Sequence, residues 1–240
     1  MADDAPSMVI AGNDAGSPNA KAYPVNAGSV YYDAGYAGGT SPYDFCMFTV
    51  STGSASGTAS IALPDPSVGD GIAVNVTTEL VGYGETPDNL QNNLRYHGTD
   101  VLDMPVALDP NTQFTYSAAG ATHVPGTCPG DSGGPTLFPA GADPSRQIVV
   151  GVHSFGGPGN VTCGQYTFGG DSRVLSRVGP GKFITAYLAG ASMNGIGIRA
   201  GAGAAVPALP VADVGLLGLM LAAAASAVIA GRRPSRTSRL

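Results

Sequence analysis

One short run of residues could carry out nucleophilic chemistry. Cys128-Pro129-Gly130-Asp131-Ser132-Gly133-Gly134-Pro135 places a serine hydroxyl between glycines. Glycines on both sides let the backbone bend, so that the N–H groups of Gly130 and Ser132 can point at one spot, where a tetrahedral intermediate would carry its negative oxygen. Asp131 is a candidate buried carboxylate that would hold the loop in shape. The alternative is a glycine-rich turn with an incidental serine, which a six-residue match makes improbable.

Gly-Asp-Ser-Gly-Gly-Pro resembles the nucleophile loop of the chymotrypsin/trypsin family of serine proteases. The resemblance covers about Met8 to Ala189 and implies an all-β fold, a chymotrypsin-like double six-stranded barrel with its first barrel incomplete, followed by a short C-terminal helix. It also implies a serine endopeptidase that needs no metal or organic cofactor. Five further segments resemble family elements in the right order: Met8–Asn13, Gly82–Gly84 after the apolar run Ile72–Val74, Ile148–Gly156, Asp171–Val174, and the helically spaced Phe183, Ile184, Tyr187 and Leu188.

Asp44 is the second candidate catalytic residue. It begins the strand-like run Asp44–Val50, and its order and separation from Ser132 resemble those of the family's catalytic aspartate. An ordinary turn aspartate at the start of a strand is the alternative.

No histidine has the sequence context of the family's general base. The three histidines are His97, His123 and His153. His153 is expected to be a packed strand residue, and the other two lie in predicted loops. The family's Thr/Ser-Ala-Ala-His-Cys stretch would fall before Met1, so the N-terminal part that carries the base is expected to be missing.

The resemblance also assigns the pocket and the cysteines. It implies an oxyanion hole made by Gly130 and Ser132. A glycine floor would not select Arg or Lys, so an apolar or undemanding preference is expected, although the proximity of Asp171 leaves this open. The pocket positions are Gly126 as floor, Ser154, Phe155 and Gly156 on one wall, and Gly169 opposite. A disulfide between Cys128 and Cys163 is implied, which requires an oxidising compartment and leaves Cys46 as a buried free thiol.

Composition supports a loop-rich β protein. The 240 residues include 36 Gly and 19 Pro, only 12% are charged, and there is no Trp. The net charge of −6 argues against a nucleic-acid partner.

The carboxyl end differs from the rest of the chain. Residues 1–190 are predicted to form the protease domain, 191–205 a Gly/Ala linker, and 206–240 a sorting or transmembrane segment. Residues 214–230 carry no charge and precede Arg232, which indicates one membrane helix with a cytoplasmic C-terminus. Together with Val206–Pro210, the segment resembles bacterial C-terminal sorting signals of the PEP-CTERM and VPxLP kind, which implies a sorting transpeptidase as partner. A plain stop-transfer anchor is the alternative.

The two ends of the chain lead to conflicting predictions about export. An exported domain needs a signal peptide, yet Met1–Ser7 has neither a basic region nor an apolar core. A start downstream of the true one would explain both this absence and the missing histidine. The sequence therefore predicts an exported serine endopeptidase that acts on proteins or peptides. The alternatives are a catalytically inactive, protease-like surface binding protein and, less well supported, a low-complexity surface-coat protein.

Overall fold

The structure, a computed structural model, contains eleven strands and one α-helix in the residues that it describes. These are residues 8–11, 13–18, 20–50, 61–86, 93–104, 106, 108–117, 126–140, 143–157, 163–190 and 199–200. The strands are β1 Met8–Ala11, β2 Lys21–Pro24, β3 Tyr31–Tyr32, β4 Cys46–Met47, β5 Thr77–Gly82, β6 Tyr96–Val101, β7 Gln113–Ser117, β8 Pro135–Ala140, β9 Asp143–Gly157, β10 Phe168–Arg173 and β11 Arg199–Ala200. Helix α1 spans Phe183–Leu188, and Cys163–Gln165 and Val174–Arg177 form short 3-10 helices.

A curled six-stranded antiparallel sheet forms the main body, in the order β6-β5-β8-β9-β10-β7. Its two outer strands, β6 and β7, approach each other. The N–H of Met104, just after β6, donates to the Thr115 carbonyl of β7 at 3.1 Å. The Ser117 N–H donates to the Asp103 carboxylate at 2.8 Å across the same gap. Strand β7 alternates polar and apolar residues in Gln-Phe-Thr-Tyr, yet all four of these side chains are buried, so both faces of this strand are covered.

The remaining strands form two smaller sheets, separate from the main sheet. β1 pairs with β2, and β3 pairs with both β4 and β11. An isolated bridge between Val25 and Val50 joins the two segments. Tyr23, Val30, Cys46, Phe48 and Val50 form a separate small core here.

The largest core cluster joins the small sheets to the main sheet and to α1. It contains Tyr31, Phe45 and Met47 from the first part of the chain. These pack with β8 and β9 residues and with Phe183 and Ile184 of α1. Because α1 has only six residues and no side-chain N-cap, its stability comes from this packing.

The structure confirms a mostly-β fold with a short C-terminal helix and corrects several predicted elements. Ile72–Val74 lies outside any strand, and β5 begins only at Thr77. Within Asp44–Val50 only Cys46–Met47 is a strand. The strand around Asp171 ends at Arg173, where a 3-10 helix starts. Leu188, the last residue of α1, is exposed and does not join the predicted apolar face.

The predicted sorting segment, residues 206–240, lies outside the described residues, as does most of the linker. Within the described ranges, no helix is both long and apolar enough to cross a membrane.

Candidate active site

The loop that carries Ser132 has a backbone that only glycine adopts easily. Gly130 and Gly133 have φ values of +95° and +85°, in the left-handed region that favours glycine. The Asp131 N–H donates to the Cys128 carbonyl at 3.0 Å, and the Gly134 N–H donates to the Asp131 carbonyl at 2.8 Å. These two turns place Ser132, which is partly buried, at the tip between them.

Asp131 anchors this loop. Its Oδ1 accepts the Gly84 N–H at 2.6 Å, and its Oδ2 accepts the Cys128 N–H at 2.8 Å. Burial raises the pKa of Asp131, while the two backbone donors and His153 pull it down. Gly82 and Gly84 must be glycine because a Cβ at either position would overlap the Asp131 carboxylate. The Gly-x-Gly segment at the end of β5 therefore provides the space that the Asp131 side chain occupies.

Asp44 is buried and accepts a hydrogen bond from Ser154. The Ser154 hydroxyl donates to Asp44 Oδ2 at 2.6 Å. Burial raises the pKa of Asp44, and the Ser154 hydrogen bond lowers it in part. Sequence analysis had placed Ser154 only on the pocket wall. Its hydroxyl is the described hydrogen-bond partner of Asp44, which no local sequence pattern indicated.

The turn before Asp44 is fixed by Arg177. The Arg177 guanidinium lies over the Tyr43 ring, 3.9 Å from its centroid, and its Nε is 3.0 Å from Asp33 Oδ2. Gly35 lies on the same ring, where a Cβ would collide with it. Because Tyr43 directly precedes Asp44, these contacts fix the position of the backbone from which the Asp44 side chain extends.

Strand β9 connects the two candidate catalytic residues. Ser154 on β9 binds Asp44, and the preceding residue, His153, exchanges backbone hydrogen bonds with the serine loop. The Gly133 N–H donates to the His153 carbonyl at 2.8 Å, and the His153 N–H donates to the Gly134 carbonyl at 2.9 Å. Strand β9 thus contacts Asp44 through Ser154 and the serine loop through His153.

Neither described histidine bonds to Asp44 or Ser132. His97 is exposed on β6, with Nδ1 3.1 Å from Glu79. His153 is 2% exposed, with Nδ1 3.0 Å from Asp171, so the prediction of a packed strand histidine is confirmed. His123 lies outside the described residues.

Two of the predicted pocket positions lie on neighbouring, paired strands. Gly156 on β9 pairs with Gly169 on β10, and the partly buried Gly126 lies two residues before Cys128. A Cβ on Gly156 would collide with the Tyr166 ring, and one on Gly169 would collide with Tyr116 and the Thr127 hydroxyl.

Phe155, the remaining wall residue, is half-buried. Its ring covers Gly170 of β10, where no Cβ would fit.

Comparison with known proteins decides the family. Residues 3–170 match the profile of the trypsin family. The chain belongs to the trypsin family. No curated protein shows significant sequence similarity to it.

The cysteines of this trypsin-family chain agree with the prediction. Cys128 and Cys163 form a disulfide that ties the serine loop to the turn before β10. Cys46 is a buried free thiol whose pKa burial, with Asp44 nearby, raises to about 12. It therefore remains protonated and unreactive at neutral pH. No group of three His, Cys, Asp or Glu residues within the described ranges could hold a metal ion.

The sequence did not predict the buried polar network around Asp171. Asp171 is fully buried and accepts hydrogen bonds from the Tyr116 hydroxyl at 3.1 Å, from His153 Nδ1 at 3.0 Å, and from Thr136. Tyr116 also bonds Thr127 at 3.0 Å. A charged residue within a strand whose neighbours are buried was the one available sequence signal. The network's five members come from five separate segments, which only the fold brings together.

Proposed function

We propose that this chain is a serine endopeptidase that cleaves peptide bonds by a Ser-His-Asp mechanism. Ser132 attacks the peptide carbonyl, and the N–H groups of Gly130 and Ser132 stabilise the oxyanion. A histidine outside the described residues takes the serine proton and returns it to the leaving amine. Asp44 orients that histidine and stabilises its charged form.

The observation that carries this proposal is the Ser154–Asp44 hydrogen bond beside the serine loop. A buried carboxylate is costly unless hydrogen bonds compensate its charge. Ser154 occupies Oδ2, and Oδ1 has no hydrogen bond within the described residues, which leaves an acceptor for an imidazole N–H. Membership of the trypsin family supports serine protease chemistry in general.

The complete burial of Asp171 supports a preference for substrate side chains that are not basic. A pocket that selects Arg or Lys needs a carboxylate that the substrate can reach. Asp171 is 0% exposed and already accepts three hydrogen bonds. With Gly126 as floor, an apolar or undemanding preference follows.

We further propose that the domain is exported and completed as a double barrel. The β1–β2 and β3–β4–β11 sheets would belong to the first barrel, and the curled six-stranded sheet would be the second. The uncharged residues 214–230 support a membrane-anchored or sorted C-terminus, with the membrane and a sorting transpeptidase as partners. The disulfide is compatible with an oxidising compartment.

A catalytically inactive surface binding protein is the second candidate. The observation in its favour is that both described histidines hydrogen-bond to other carboxylates. Under this alternative the serine loop would be a structural remnant of the family.

Labelling with a fluorophosphonate separates the two, because only an activated serine displaces its fluoride and becomes phosphonylated. On protein isolated from its native host, we expect covalent label on Ser132 and hydrolysis of apolar peptide esters. Ser132→Ala abolishes both, and Asp44→Asn slows labelling by about 10⁴-fold, as loss of the orienting carboxylate does in this mechanism. Ser67→Ala is the matched control, because Ser67 is a surface serine bonded to Asp65. A folded protein that takes no label supports the inactive alternative.

A further inference from the structure

The hydrogen bonds of Asp171 favour a proton on one nitrogen of His153. Asp171 receives donors from Tyr116 and Thr136 as well as from the His153 ring. A carboxylate can only accept hydrogen bonds, so the contact with Asp171 favours a hydrogen on His153 Nδ1. The Tyr116 hydroxyl, 3.4 Å from the same nitrogen, donates to Asp171 in this arrangement.

The other ring nitrogen lies in a place that favours a second proton. His153 Nε2 is buried and makes no hydrogen bond within the described residues. The Val81 carbonyl is near this side of the ring, since a Cβ on Gly134 would touch both Val81 O and His153 Cδ2. A bare Nε2 lone pair beside a carbonyl oxygen is unfavourable, whereas an N–H there is attracted to it.

The charges around the ring point the same way. Burial lowers the pKa of His153, but Asp171, Asp131 and the Val81 carbonyl raise it, and the net direction is upward. The influence is mutual, because His153 lowers the pKa of Asp131. The titratable groups in contact with the ring are Asp171 on β10 and Tyr116 on β7, and Asp131 in the serine loop acts on the ring electrostatically.

Asp131 lacks a cationic ion-pair partner within the described residues, and a charged His153 could supply the positive charge. Both Asp131 oxygens accept backbone N–H groups, but within the described residues no Lys, Arg or His side chain forms an ion pair with it. A mostly buried carboxylate without a cation is destabilising. His153 is joined to the same loop by the backbone bonds to Gly133 and Gly134.

We propose that His153, kept doubly protonated by Asp171, is the internal cation that balances Asp131 and so holds the serine loop in place. His153 is then a positioning residue for Ser132, a role that rests on the proposed function only in naming that loop as the nucleophile loop. The loop becomes sensitive to pH: loss of the His153 proton leaves Asp131 without its counter-charge.

Nitrogen-15 NMR of the imidazole rings in the whole chain tests the charge directly. We expect both His153 nitrogens to be protonated at pH 7, with His97 as the exposed reference. A His153 ring that is neutral at pH 7 overturns the proposal. This measurement needs no variant and no enzymatic activity, so its outcome is independent of whether the chain is a protease.

Amide hydrogen exchange tests the consequence. His153→Gln keeps a donor for Asp171 but carries no charge, and His97→Gln is the matched control. We expect exchange at residues 130–134 to rise about tenfold in His153→Gln, the factor equivalent to one pKa unit of coupling. The wild type should show the same rise, after correction for intrinsic rates, when the pH passes the His153 pKa. Equal protection of 130–134 in His153→Gln and the wild type across this pH range overturns the proposal. If His153→Gln does not fold, the wild-type pH series decides alone.

Discussion

At the scale of single residues, the site depends on where side chains are absent. Gly82 and Gly84 give the Asp131 carboxylate its space, and Gly134 lets the serine loop lie against Val81 and His153. Gly35 does the same for the Tyr43 ring. Because protein interiors are close-packed, a single methyl group at such a position displaces the group that it meets.

Gly82→Ala tests this packing. Its Cβ would overlap Asp131, so we expect the Gly84–Asp131 hydrogen bond to break and the free energy of unfolding to fall by about 1–3 kcal/mol. Urea unfolding measures the change, and exchange of the Gly84 amide locates it. Gly16→Ala is the control, because its Cβ would come only within 3.3 Å of Asp14 Oδ1. Equal effects of the two substitutions would contradict the proposed packing.

At the scale of elements, the serine loop is held from three sides. β9 binds Gly133 and Gly134, the segment after β5 binds Asp131, and the disulfide binds Cys128 to the 3-10 helix that begins at Cys163. The Glu85 N–H adds a bond of 2.9 Å to the Pro129 carbonyl. Each connection joins parts of the chain that are distant in sequence, so the position of the loop depends on the fold of the sheet around it.

Reduction of the disulfide tests the contribution of the third connection. The cysteines are 35 residues apart, so the chain-entropy treatment gives about 3–4 kcal/mol of stabilisation. We expect this loss in urea unfolding with reductant, measured in a Cys46→Ala background that prevents thiol exchange. The same background without reductant is the reference. An unchanged urea midpoint after complete reduction would show that the loop gains nothing from the cross-link.

At the scale of the whole molecule, burial of acidic groups links stability to pH. Burial, with Asp103 nearby, raises the pKa of Asp100 to about 6, and its Oδ2 has no hydrogen-bond partner within the described residues. The pKa values of Asp44 and Asp131 are also raised, first by burial. A carboxyl whose pKa is higher in the folded protein binds its proton more tightly there, so it favours the folded state at low pH. His153, with its raised pKa, contributes in the same direction until its proton leaves.

We therefore expect the chain to be most stable at mildly acidic pH. The urea midpoint should fall as pH rises from about 4 to 6 through the folded Asp100 pKa, and fall again above the unfolded His153 value of about 6.5. Asp100→Asn should reduce the first fall and His153→Gln the second, with His97→Gln unchanged. A midpoint that rises steadily from pH 4 to 8 would be inconsistent with these buried groups.

Much of this protein's local structure could be predicted from short stretches of its sequence. The loop Gly130–Pro135 predicted both the family and its glycine-dependent turns, because the left-handed backbone there requires particular residues. The disulfide and the buried Cys46 also followed from the sequence, as did α1, whose apolar spacing is a local property. Strand limits were less accurate around Ile72 and Asp44, where short strands are decided by pairing partners distant in the chain.

Only the tertiary structure decided the long-range polar contacts. The Ser154 hydroxyl reaches Asp44 because β9 passes beside the turn fixed by Arg177. Asp171 meets Tyr116, Thr136 and His153 because four strands bring them to one place, and this burial removes it from the pocket. The sequence determined which residues could act and how the loop that carries Ser132 bends. Hydrogen bonds and charges in the interior act through space, so the fold alone determined their partners.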